Sequence, residues 1–208
     1  MVLAAIVLTC WRLRNRAFPA SVAPVRQLIR EAVETGLPML GICLGGQLLA
    51  HALDGRVSRR PHGPEVGAVP LRRLPAGDGD PVLDAVPKGA LAAQWHWDNI
   101  DRLPAGAVSL LTGADCPHRA FRIGPRAWGV QFHPEVLSDA IADWARSHGP
   151  AVRAAGGDPD GAIASVRDAE PQLRQVWGTM AEAWGAVVLT EAEADGVRVP
   201  LPAWTARE

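Results

Sequence analysis

Three side chains in this sequence have the types and neighbours that acyl-transfer chemistry requires. Cys43 stands in GICLGGQ, flanked by Gly41, Gly45 and Gly46. Small neighbours let a backbone take the strained angles of a tight turn, which lifts the nucleophile above a sheet. A position immediately before a helix also turns backbone N–H groups toward the sulfur, whose anionic form attacks carbonyl carbon. A cysteine nucleophile needs an imidazole to take and return its proton, and the imidazole needs a third group to fix its tautomer. The tripeptide His133-Pro134-Glu135 offers both. In an extended segment residues two apart face the same way, so Glu135 is expected to reach the ring of His133.

Around this trio stand secondary candidates. Gln47 lies four residues after Cys43, one turn along the same helical face, where it can hydrogen-bond an amide or carboxylate. His96 and Asp98, in QWHWDN, are read as a pocket wall or as core packing. His51 lies eight residues along the helix, about 12 Å away, and is a poor base. His62 and His118 fall in Pro-rich loops and are expected to be solvated, while Cys10 and Cys116 read as plain apolar residues. Cys116 and His118 are only a pair against the four ligands of structural zinc, so no metal and no cofactor are expected.

The elements that must carry these groups alternate between strand and helix. Val25, Leu28, Ile29, Ala32 and Val33 recur at helical spacing, with Ser21 as a cap, Pro24 in the first turn and Gly36 at the end. Residues 37–43 read as a buried strand and 44–53 as a helix, which places Cys43 at their junction. Residues 68–71 and 107–111 are strand candidates between turn signals such as PAGDGDP, and 127–132 is another that ends at HPE. Ser138 is expected to cap a helix that Gly149 terminates. In the tail, Ile163 and Val166 mark one short helix and Pro171 is expected to open a second through Leu173, Val176, Trp177, Met180 and Trp184.

The pattern implies an α/β fold, a mainly parallel sheet with flanking helices, with sites beyond the carboxyl ends of parallel strands. Residues 1–150 are expected to form the main domain and 151–208 a helical extension packed on it. With 208 residues, 48% of them apolar, the chain is long enough for a sizeable core. A net charge of −1 leaves no basic field for nucleic acid. Three scattered cysteines argue against a disulfide framework and for a reducing, cytoplasmic setting. The opening MVLAAIVLTC has its arginines after the apolar run and half the length of a membrane span, so it reads as a strand rather than a leader or anchor.

GICLGGQLLAHAL followed by WGVQFHPE resembles the class I glutamine amidotransferases, especially the glutaminase domain of GMP synthetase and its stand-alone relatives. The likeness spans about residues 18–149. It implies a flavodoxin-like fold, Cys43, His133 and Glu135 as catalytic triad, and Gln47 as a substrate holder. Glutamine is the implied substrate and a separate synthetase the implied acceptor of its ammonia. The oxyanions of thioester formation and hydrolysis would take one donor from the Leu44 N–H, with Gly41 shaping the turn. Relatives place a Gly-Gly loop where Thr9 and Cys10 stand here, so the N-terminal strands read as incomplete or altered. Two alternatives remain open from sequence: a hydrolase of other γ-glutamyl amides, and a scaffold that keeps the trio without a formed oxyanion site.

Overall fold

A computed structural model of the chain describes residues 6–9 and 22–194. The central sheet has six strands in the order β1 (Ile6–Thr9), β2 (Met39–Ile42), β10 (Ala127–Val130), β9 (Ala120–Ile123), β8 (Ala107–Thr112) and β5 (Arg72–Arg73). β1, β2 and β10 run parallel, and β9, β8 and β5 continue antiparallel from β10. Strand β2 is buried on both faces, which is why its residues read as an unbroken apolar run. Two further antiparallel pairs of strands distant in sequence, β3 (Arg56–Arg59) with β7 (Asp98–Arg102) and β4 (Glu65–Pro70) with β6 (Leu91–His96), form separate two-stranded sheets.

Helix α1 (Ala23–Glu34) buries Ile29 and Ala32, and Gly36, at φ +70°, ends it as expected. Its N-cap is Val22 without a side-chain bond, and Ser21 lies outside the described residues. Helix α2 (Leu44–Ala52) follows β2 after the single residue Cys43. Among the described residues no helix is long and apolar enough to cross a membrane.

The last third of the structure departs from its sequence pattern in two places. Helix α3 runs from Ser138 to Ala154, straight past Gly149 and Pro150. Ser138 is its first residue and not its cap: its N–H and hydroxyl both donate to Glu170. The two expected tail helices are one, α4 (Pro159–Ala194), with Pro171 inside it. A proline within a helix removes the bond to the carbonyl four residues back. Pro171 and Arg167 are both exposed, as are Pro150 and Arg146, so water can replace the lost donor in each case.

Helix α4 lies along the β4–β6 pair. Gly67, at φ +98°, has no room for a side chain, because a Cβ there would meet Ser165 Oγ at 2.8 Å and Ala162 Cα at 3.2 Å. Ser165 Oγ in turn accepts the Ala68 N–H, Gln172 accepts the Leu91 N–H and the Trp177 indole donates to the Leu91 carbonyl. Trp177 also stacks near Phe132, centroids 4.5 Å apart, within the larger of two apolar cores.

Candidate active site

Cys43 is the hinge between β2 and α2 and holds φ +50°, ψ −105°, a conformation that a residue with a side chain seldom takes. Glycine packing on either side over-determines it. A Cβ on Gly41 would lie 2.6 Å from the backbone of Gly45, and one on Gly46 would lie 2.7 Å from the Val130 carbonyl. The Cys43 N–H donates to that same carbonyl at 2.8 Å, which ties the turn to β10. Beyond it, the first intrahelical bond is Gln47 N–H to the Cys43 carbonyl, 3.0 Å. The N–H groups of a first helical turn, that of Leu44 among them, have no acceptor within the helix.

His133 arrives from the neighbouring strand. Its N–H donates to the Ala93 carbonyl at 2.9 Å, a bridge to β6, and its ring meets the edge of Trp144 with centroids 4.8 Å apart. Nδ1 and Glu135 Oε1 are 2.9 Å apart, which leaves Nε2 for the Cys43 side chain, which is near enough to act on the charge of the ring. Burial works against a charged ring here, but the Cys43 and Glu135 charges and hydrogen bonds outweigh it and raise the His133 pKa to about 10. The reason Glu135 reaches the ring differs from the sequence expectation. β10 ends at Val130, and Pro134 and Glu135 form a turn that folds the carboxylate back.

The structure therefore sets Glu135 against His133, brings Cys43 within electrostatic reach of that ring, and links Gln47 to Cys43 through Gln131. Gln47 is buried, and its amide nitrogen lies 2.9 Å from the Asp98 carbonyl and 3.2 Å from Gln131 Oε1. His96 is buried in a polar cluster and not on a wall: Nδ1 contacts the Asp98 carbonyl at 3.0 Å and Nε2 contacts Glu65 at 2.9 Å. Arg119 grips both Glu65 oxygens, and Arg60 lies 3.7 Å from the same carboxylate. Burial would raise the Glu65 pKa, yet the hydrogen bonds from His96 and Arg119 hold it well below the carboxylate range. The Asp98 side chain points to Arg59, 3.7 Å away, whose guanidinium lies 4.1 Å over the Trp97 ring.

Cys116 is fully buried and burial pushes its thiol up to about 11, an inert environment. His118 is half-buried against Ser109 Oγ at 3.0 Å, less solvated than a loop position suggests. Among the described residues no group of three or more His, Cys, Asp or Glu could hold a metal. Thr9 pairs in register with Ile42, the residue before Cys43, and Cys10 lies outside the described residues. Sequence reasoning passes over Gln131, whose amide nitrogen lies 3.7 Å from Cys43 Sγ, and over Trp144 as the neighbour of the histidine ring. The available signal for Gln131 is one polar residue inside the apolar run AWGVQF.

Comparison with known proteins gives the family of the chain. The GMP synthase (glutamine-hydrolysing) of Thermomicrobium roseum is 42% identical over 125 residues, 57% of this chain and 22% of that protein. The enzyme of the same name from Streptococcus pneumoniae (strain CGSP14) is 37% identical over 111 residues, 51% of this chain and 20% of that one. The chain thus matches about a fifth of the length of these curated relatives. A glutamine amidotransferase from Thermotoga maritima superposes with a TM-score of 0.73 at 27% identity, covering 86% of this chain and 77% of that one. One from Methylobacillus flagellatus gives 0.59 at 25%, covering 90% and 74%. The family described as glutamine amidotransferase class-I matches residues 17–142, a stretch that holds β2, Cys43, β10 and the His133–Glu135 turn, and the chain belongs to that family.

Proposed function

We propose that this chain hydrolyses the side-chain amide of glutamine and delivers the ammonia to a synthetase partner. The observation that carries this reading is the strained strand-to-helix turn that holds Cys43, together with a buried imidazole that has Glu135 at 2.9 Å on Nδ1 and is acted on by Cys43. Cys43 Sγ attacks the amide carbon as its proton passes to His133 Nε2. The tetrahedral oxyanion takes a hydrogen bond from the Leu44 N–H, at the positive end of α2. As the oxyanion collapses, the C–N bond breaks and His133 returns the proton to the leaving nitrogen, which departs as ammonia. Water then attacks the glutamyl thioester, His133 takes its proton, and glutamate leaves as the thiol re-forms.

Glu135 holds the ring in the tautomer that presents Nε2 to the sulfur and supports its positive charge. Gln47 and the Gly41 turn shape the substrate end of the site, and His96 acts from behind it through the Asp98 carbonyl. The GMP synthase names of the relatives suggest a synthetase as acceptor of the ammonia.

The test is ammonia release from glutamine by purified protein, with other γ-glutamyl amides beside it. The expected result is release from glutamine that falls by about 10⁴-fold or more in Cys43→Ala and in His133→Ala. Full activity in Cys43→Ala, or release from the other amides but not from glutamine, refutes this assignment.

A further inference from the structure

The side chain of Gln131 follows β10 directly, has no exposed surface, and bridges two groups of the site. Its Nε2 faces Cys43 Sγ at 3.7 Å and its Oε1 faces Gln47 Nε2 at 3.2 Å. Gln47 Nε2 is also 2.9 Å from the Asp98 main-chain carbonyl. An amide side chain can be turned either way in principle, but a main-chain carbonyl only accepts. The Asp98 carbonyl therefore requires the Gln47 NH2 to face it, and the second hydrogen of that NH2 requires an acceptor, which is Gln131 Oε1. The Gln131 atom left facing the sulfur is then its NH2. One backbone oxygen sets the polarity of the whole chain from Asp98 to Cys43.

The sulfur is in this way served by two groups of the site, the His133 ring, with Glu135 behind it, and the Gln131 amide, which holds it by a hydrogen bond. The first changes charge during the reaction and the second does not. We propose that Gln131 is a positioning residue for Cys43, donating to the sulfur from a direction fixed by Gln47 and the Asp98 carbonyl, so that the anion stays aimed while His133 is occupied with the proton. This rests on Cys43 being the nucleophile of the proposed reaction.

The experiment follows alkylation of Cys43 by iodoacetamide against pH, read on the Cys43 peptide by mass spectrometry so that Cys10 and Cys116 do not contribute. Wild type is compared with Gln131→Met, which keeps the length and loses the donor, with Gln131→Glu, and with Gln47→Met. The expected result is a midpoint shifted upward by roughly one pH unit in Gln131→Met, further in Gln131→Glu, and less in Gln47→Met, with thermal unfolding still cooperative. Superimposed profiles in folded Gln131→Met and wild type overturn the proposal. Should Gln131→Met not fold, Gln47→Met decides by the same readout, an upward shift supporting the relay and an unmoved profile overturning it. The alkylation readout needs no glutamine, so failure of the relay and failure of the glutaminase reading remain separable.

Discussion

Around Cys43 the chain fixes the residue with backbone, using two glycines and a strand-to-helix turn within six residues of sequence, closed by the Val130 carbonyl of β10. Around His133 it borrows from far away: the Ala93 carbonyl forty residues back, the Trp144 ring on α3, and α4, which packs Trp177 on Phe132 and clasps Ser138 through Glu170. The frame of Cys43 is steric and has almost no give, because the contacts that fix it are backbone on backbone. His133 is framed by side chains and single hydrogen bonds, which can adjust. In the proposed reaction the imidazole serves first the sulfur and then water, so the more compliant frame surrounds the group with two tasks.

The largest expected effect comes from the buried cluster that joins the β4–β6 pair, and with it the His133 bridge, to the central sheet. Arg119→Met leaves the Glu65 carboxylate buried without its bidentate partner, and denaturant unfolding should show a loss of about 3–5 kcal/mol. Next, Gly46→Ala drives a Cβ to 2.7 Å from the Val130 carbonyl, and a loss of about 1–3 kcal/mol in the same measurement, with glutaminase activity falling more steeply than stability, would mark the nucleophile frame as rigid. An alanine tolerated there with full activity would erase the contrast between the two frames.

The two regions also divide the pH response. Because Glu65 has a folded pKa below its unfolded value, its contribution is full above about pH 4.5 and is lost as pH falls. His133 has a folded pKa raised to about 10, so its contribution is full below about pH 6.5 and is lost as pH climbs through the folded value. Each limb has a slope of at most about 1.4 kcal/mol per pH unit. Thermal unfolding across pH should lose the acid limb in Glu65→Gln and the alkaline limb in His133→Gln. The smallest effect is expected from Glu170→Gln, which weakens the clasp on Ser138 at a half-buried position: kcat for ammonia release should drop by less than about 10-fold with the melting temperature nearly unchanged.

The same contrast explains which parts of the molecule can be read from sequence. Cys43 is legible because strand, glycines and helix are all local, and its geometry follows from their order. The pairing of His133 with Glu135 is legible as chemistry but not as shape, since a two-residue spacing serves a turn as well as a strand. Gln131 is hidden because its partners, Gln47 and Cys43, lie more than eighty residues upstream. Gly149 and Pro171 look like helix ends, but tertiary contact on one face and water on the other carry the helices through them.

The family match ends at residue 142, seventeen residues before α4 begins. An expression fragment trimmed to that boundary would keep every atom of the Cys43, His133 and Glu135 row and yet strip away Glu170, Gln172 and Trp177. Anyone who minimises this protein by homology would keep the proposed chemistry and saw off its scaffolding.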